Sequence, residues 1–363
     1  MLYYFSIVIL SSLIAGISEL IYRINKRTFI KKTGFILSAL VTVFVSGARV
    51  SVGTDYTIYT NYQFPLVLNG GDPQYVTVEP LYQMIIHIGK WLNNIFGVLG
   101  NIEYQWIFVL TAMLIVGFTY LGIYRLTEHY TLAILLFFTS YFFFYGLNVM
   151  RDSITIAIFI FAIPYIINKN WKRYFLWCAI ATLFHYSAIV FVAAYFTRYF
   201  RKVRIWALVL PIASYLFSSF LANYANKFMS LFASYNHYVG SQIFQFNSRS
   251  DMIVTMLTLI IFYLFFRDGT KKQVLFFWFQ FFATIVAYAG GAIPMAQRIE
   301  YYFLFVVIVS IPEILNVKKI SKWLRIATVL FLSLLFCYYT YNQFAQGRGG
   351  LLPYQNIWGT IYN

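Results

Sequence analysis

Apolar residues in this chain come in runs too long for the core of a water-soluble domain. Stretches of about 17 to 22 residues with few charges recur along it, the length a helix needs to cross a hydrocarbon layer. The pattern predicts full-length helices near residues 2–21, 33–48, 106–124, 131–147, 153–168, 205–222, 252–266, 273–292, 300–316 and 326–341. Ten crossings make the chain an all-α, polytopic integral membrane protein, with residues 1–363 as a single transmembrane domain.

Two further apolar stretches fit a simple crossing poorly. Residues 79–98 carry Lys90 at mid-length, so a re-entrant or interfacial helix is expected there. Residues 174–197 have basic clusters at both ends, which favours a broken hairpin bending near His185 over one long tilted span.

Charge orients these helices. Only 10% of residues are charged, mean hydropathy is +0.70, and the formal net charge is +16. The first connection holds Arg23, Lys26, Arg27, Lys31 and Lys32, which places it in the cytoplasm and both termini outside. Alternation then brings Arg125, Lys169–Arg173, Arg198–Arg204, Arg267–Lys272 and Lys318–Arg325 to the same side. The basic excess thus follows the positive-inside rule, and no nucleic-acid partner is expected. Cys178 and Cys337 lie inside predicted spans and suggest neither a disulfide framework nor a metal site. The N-terminal run lacks a basic n-region and a small-residue cleavage site, so it is expected to be a retained helix.

The remaining cations fall outside: Arg49, Lys90, Arg151, Lys227, Arg249, Arg298 and Arg348. An arginine at a helix end can simply snorkel to headgroups. Arg49, Arg151 and Arg298 together, each near an acidic or amide residue, favour a polar site open to the outside instead. Guanidinium forks match phosphate and pyrophosphate, so an anionic lipid-linked substrate is implied. The outward segments are 49–78, with its Gly-Thr-Asp-Tyr motif, 223–251, which holds His237 and Arg249, and the 342–363 tail, to which the sequence gives no role.

Arg49-Val-Ser-Val-Gly53-Thr54-Asp55-Tyr56 with Tyr59, then Glu79-Pro80-Leu81-Tyr82, Asn148-Val-Met-Arg151, Phe184-His185-Tyr186-Ser187-Ala188 and Arg298-Ile-Glu300-Tyr301-Tyr302 resemble, in order, the EpsG-like branch of Wzy-type polysaccharide polymerases. Asp152 stands where many members have Gln, and Leu81 where Gly is common.

The resemblance implies a polymerase on the outer face of the bacterial cytoplasmic membrane. It would join undecaprenyl-pyrophosphate-linked oligosaccharide repeat units into O-antigen, capsule or exopolysaccharide, beside a flippase and a chain-length regulator of the same pathway and with no cofactor or metal. A sugar hydroxyl would displace undecaprenyl pyrophosphate, which calls for a base at the hydroxyl and fixed cations at the leaving group. Asp55 and Glu79 lead as the base, with His185 third. Arg49, Arg151, Arg298 and Arg249, with Tyr56, Tyr59 and Glu300, are the expected substrate contacts; Tyr62, Tyr75 and Tyr82 add rings at the mouth. Plainer readings stand beside these: Asp55 as a turn residue, Glu79 as a helix-start acid, and His185 as a packing residue. A membrane O-acyltransferase or a glycan transporter is the rival function, but the histidines come after the early spans and no repeat is evident.

Overall fold

The computed structural model describes residues 1–70, 78–99, 103–229, 249–290, 293 and 296–362. Among them are eight helices long and apolar enough to cross a membrane: Leu2–Asn25 (α1), Thr28–Gly47 (α2), Gln105–Leu126, Met150–Ile167, Arg249–Phe266, Lys271–Ala289, Ala296–Asn316 and Lys322–Ala345. Two more spans are bent in the middle, by 49° between Tyr130–Thr139 and Phe142–Asn148, and by 74° between Trp206–Leu216 and Ser218–Tyr224. With each bent pair as one crossing, these elements fall on the apolar runs of the sequence. The chain is an all-α polytopic membrane protein.

Lipid offers the backbone no hydrogen-bond partner, so an apolar run this long satisfies its amides only by coiling on itself. Leu2, Phe5, Leu13, Ile17 and Leu20 of α1 are exposed, as lipid-facing side chains would be. Interruptions have local causes. Tyr141 adopts a left-handed conformation, φ 73°, and divides Tyr130–Thr139 from Phe142–Asn148. At the start of Lys271–Ala289, Thr270 and Gln273 form a reciprocal capping box.

Contacts divide the chain into two compact units. The first comprises Met1–Pro164, Lys172–Ile189 and Thr340–Asn363; the second comprises Tyr165–Trp171 and Val190–Tyr339.

In the first unit, Ser11 of α1, Ser38 and Thr42 of α2 and Tyr120 form a buried hydroxyl cluster. Ser11 Oγ lies 2.8 Å from Ser38 Oγ, and the Tyr120 hydroxyl 2.9 Å from Ser38 Oγ. Such contacts join helices in lipid, at about 0.6 kcal/mol each. Helix Pro80–Phe96 packs on Gln105–Leu126 at Gly89, where a Cβ would stand 2.4 Å from Ile107. The unit also holds a three-stranded antiparallel sheet, in which β1 (Arg49–Val50) pairs with β2 (Tyr354–Asn356), and β2 with β3 (Ile361–Tyr362).

In the second unit, Lys271–Ala289 is largely buried, and its Gln280 and Thr284 donate to the Thr255 carbonyl at 3.0 and 3.2 Å. Lys272 pairs with Glu313 at 2.6 Å.

Several expectations gain detail. The 79–98 stretch is a 17-residue helix, Pro80–Phe96, whose Lys90 is exposed and paired with Glu103 at 2.6 Å. The helix Trp171–Phe184 stops before His185, and a 3-10 turn, Tyr186–Ile189, follows, so the break falls where the sequence placed it. Residues 49–70 are folded, with β1, a turn and short helices, including a π-helix at Tyr59–Gln63. Tyr75, and the part of 223–251 that contains His237, lie outside the described residues.

Candidate functional site

Glu79 sits at the entry to helix Pro80–Phe96. Proline at the first helical position fixes the start, and the residue before a proline is driven to extended backbone; Glu79 has φ −70° and ψ 151°. Its carboxylate makes no bond to its own helix end. It turns into the protein, 2% exposed, and meets two other motifs. Arg151 Nη1 donates to Oε2 at 2.5 Å, and His185 Nδ1 lies 2.6 Å from Oε1. The backbone N–H of Tyr186 adds a weaker contact at 3.4 Å.

Each partner is placed by a helix terminus. Arg151 is the second residue of Met150–Ile167, and His185 follows the last residue of Trp171–Phe184, with its N–H bonded to the Ala181 carbonyl at 3.0 Å. Burial pushes the Glu79 carboxyl up, but the His185 hydrogen bond and the Arg151 charge outweigh it and hold the group below the usual carboxylate range. An ionised carboxylate only accepts, so Nδ1 carries the proton it donates. Next to Arg151, buried Asp152 accepts from the Tyr145 hydroxyl at 2.7 Å.

The Gly53-Thr54-Asp55 turn docks on the same motif that carries Arg151. Asn148 Oδ1 accepts the Asp55 N–H at 2.9 Å and the Thr54 hydroxyl at 3.2 Å. Gly53 has φ +100°, which only glycine adopts without strain, and a Cβ there would meet Asn148 Oδ1 at 3.0 Å. On the opposite edge the turn is held by the tail: Gly53 N–H donates to the Gly350 carbonyl at 3.0 Å, and Thr54 N–H to the Gly349 carbonyl at 2.9 Å. Tyr4 donates to the Leu351 carbonyl at 3.0 Å, and Tyr354 to the Val45 carbonyl at 2.8 Å. The tail left without a role is therefore part of this wall. Its sequence signal was the Arg348-Gly-Gly turn followed by Pro353.

Arg49 is 1% exposed. Its Nη1 donates to the Ser46 carbonyl, its guanidinium lies 4.9 Å from the Phe108 ring centroid, and Gln105 bonds the Arg49 carbonyl at 3.2 Å. Burial draws its pKa down. So enclosed a guanidinium does not snorkel. Tyr56 stacks on Phe108 at 4.9 Å, and Tyr59, in the π-helix, stands 6.3 Å from Tyr82.

Arg49, Asp55, Tyr56, Tyr59, Glu79, Arg151 and His185 all belong to the first unit, while Arg249, Arg298 and Glu300 belong to the second. Arg249 is exposed at the start of Arg249–Phe266, Arg298 is half-buried in helix Ala296–Leu304, and Glu300 is buried. Sequence reasoning overlooked a polar group in this unit: Gln297 donates to the Tyr301 hydroxyl at 2.7 Å and approaches buried Asp251 at 3.5 Å, and Tyr301 meets Tyr339 at 3.1 Å. Asp251 and Gln297 each flank a named arginine, the signal that could have drawn attention to them.

A model of the EpsG family matches residues 32–356. The chain belongs to the EpsG family. EpsG is a Wzy-like polysaccharide polymerase family, and a polysaccharide polymerase-type role follows for the chain in general terms. The EpsG match includes both walls of the Gly53–Asp55 turn, since it extends through β2. Comparison with curated proteins and with solved structures finds no match.

Proposed function

We propose that the chain joins undecaprenyl-pyrophosphate-linked oligosaccharide repeat units by glycosyl transfer at the outer face of the bacterial cytoplasmic membrane, with Arg151, Glu79 and His185 as its reactive group. The observation that supports this most is the buried carboxylate shared by an arginine and a histidine in an EpsG-family chain.

In this proposal His185 Nε2 takes the proton from the acceptor sugar hydroxyl as its oxygen bonds to the anomeric carbon of the growing chain. The bond from that carbon to the pyrophosphate oxygen breaks, and undecaprenyl pyrophosphate leaves with the electron pair. Glu79 keeps the ring in the required tautomer and stabilises the imidazolium that forms, the role of the carboxylate in a catalytic triad. Arg151 holds a fixed positive charge beside Glu79, which offsets the charge that grows on the pyrophosphate during bond breaking. A positioned base contributes about 10²–10⁴-fold, and one fixed donor at a developing anion about 10²–10³-fold.

The order of candidate bases therefore changes. Glu79 has each oxygen engaged and its basicity lowered, which suits an anchor better than a proton acceptor. Asp55 becomes a glycan-contact candidate in the turn, with Tyr56 and Tyr59 beneath it. Arg49 supplies positive potential within the first unit, and Arg249, Arg298 and Glu300 stay candidate contacts for the lipid-linked chains. A flippase supplying the units and a chain-length regulator are the expected partners.

The test uses a polymer-producing host lacking the gene, complemented with wild type, His185→Gln or Arg151→Ala, with surface glycan resolved on gels and membrane levels checked. Single repeat units without the gene, a ladder with wild type and no ladder with either variant are expected. An unchanged ladder in the host lacking the gene overturns the proposal.

A further inference from the structure

The second unit contains a cavity of about 430 Å³ lined by Lys169, Arg198, Arg201 and Lys271, and no carboxylate among the described residues lines it. Ile167, Val274 and Leu275 give it an apolar side. None of these four cations joins an ion pair among the described residues, whereas the neighbouring Lys272 is held by Glu313 at 2.6 Å.

Two of the cations are placed by particular local geometry. Lys169 ends helix Met150–Ile167 in the left-handed conformation, φ 59°, where glycine is usual; Lys169 N–H bonds the Ile166 carbonyl at 3.2 Å and Asn170 N–H the Tyr165 carbonyl at 2.9 Å. Arg198 lies over the rings of Tyr195 and Tyr199, 4.9 and 5.2 Å from their centroids, and bonds the Tyr195 hydroxyl.

We propose that this cavity binds an anionic phospholipid, its phosphate among Lys169, Arg198, Arg201 and Lys271 and part of an acyl chain along the apolar side. The positive-inside rule explains why these loops are basic, but not why their cations converge on a cavity with a hydrocarbon wall. A free phosphate would leave that wall unused, and a neutral lipid would leave the cations unused. Basic pockets between membrane helices recognise such headgroups.

The full chain in detergent is titrated with dioleoyl-phosphatidylglycerol, dioleoyl-phosphatidylcholine or inorganic phosphate, and bound species are counted by native mass spectrometry. Phosphatidylglycerol should bind at least about tenfold more tightly than phosphatidylcholine. At about fivefold per cation, Arg198→Gln/Lys271→Gln should weaken it about 30-fold, while Arg27→Gln/Lys32→Gln, basic residues that do not line the cavity, should not. Equal binding of the two lipids overturns the proposal. So does phosphate binding without phosphatidylglycerol binding, which marks a soluble-anion site, and so does undiminished affinity in the double variant. The wild-type lipid comparison decides even if that variant fails to fold.

Discussion

Replacing Glu79 with Gln tests the buried group at its centre, because it preserves shape and removes charge. Glutamine offers one carbonyl and one amide nitrogen to two partners that both need an acceptor. With its carbonyl toward Arg151, the amide faces His185 Nδ1 and forces the proton onto Nε2, which can then no longer take one from a sugar hydroxyl. With its carbonyl toward His185, the amide meets Arg151 Nη1, donor against donor, across what is now a 2.5 Å ion pair. The first arrangement removes the proposed base, a loss of about 10²–10⁴-fold in rate; the second takes the carboxylate counterion from a largely buried guanidinium, at about 3–5 kcal/mol. Polymerisation in proteoliposomes supplied with lipid-linked repeat units should therefore fall about 10³-fold, with protein that still inserts. Glu79→Asp, which keeps the charge but shortens the reach, should lie between the two. Acid adds a second readout. The Glu79 carboxyl is held below its ordinary value, so its contribution to stability is complete above that value and is lost as pH falls through the lower folded one. Melting temperature in detergent should show this acid-side loss in wild type and lack that component in Glu79→Gln. A Gln variant at normal membrane level that polymerises within about twofold of wild type would refute the assigned chemistry.

Arg151→Lys keeps a cation but loses the planar fork, so the ladder should shorten and the rate fall about 10–100-fold while insertion stays normal; full activity would reduce Arg151 to a point charge. Asn148→Ala removes the acceptor for the Asp55 amide and the Thr54 hydroxyl, with an expected stability loss of about 1–3 kcal/mol by detergent melting and a raised KM for the acceptor unit. Gly350→Val places a branched side chain at φ +58°, with its Cβ 3.0 Å from Thr54 Cγ2, so about 1–2 kcal/mol of strain should appear in melting and the ladder should weaken even though residue 350 lies far from Glu79 in sequence.

The spans were legible because lipid imposes one rule on every apolar run. The bends inside two of them were not, since each break falls at an aromatic residue, Tyr141 or Phe217, inside a run whose overall hydropathy reads as one continuous span. Glu79, Arg151 and His185 could each be named from short motifs, yet their union depends on three helix ends more than 30 residues apart in sequence. In the proposed mechanism that union shifts the base from Glu79 to His185, because both oxygens of the carboxylate are already engaged. Arg49 reads as a membrane-edge arginine, whereas its backbone lies in a two-residue strand and its side chain is enclosed. Strands of two and three residues carry no periodicity, so the pairing of Arg49 with Asn356 could not be anticipated.

The tail that braces the Gly53–Asp55 turn also sets an order of events during biosynthesis. The hydrogen bond from Tyr4 to Leu351 joins residues 347 positions apart. At about 5–20 residues per second, the first helix waits on the order of 20–70 s for its partner to leave the ribosome. Until then the turn has Asn148 on one edge and open backbone on the other. A chain stalled or cleaved before Gly349 would carry the spans described above but an unbraced turn, so maturation of this site waits for the synthesis of residues 349–354 rather than for the insertion of those helices.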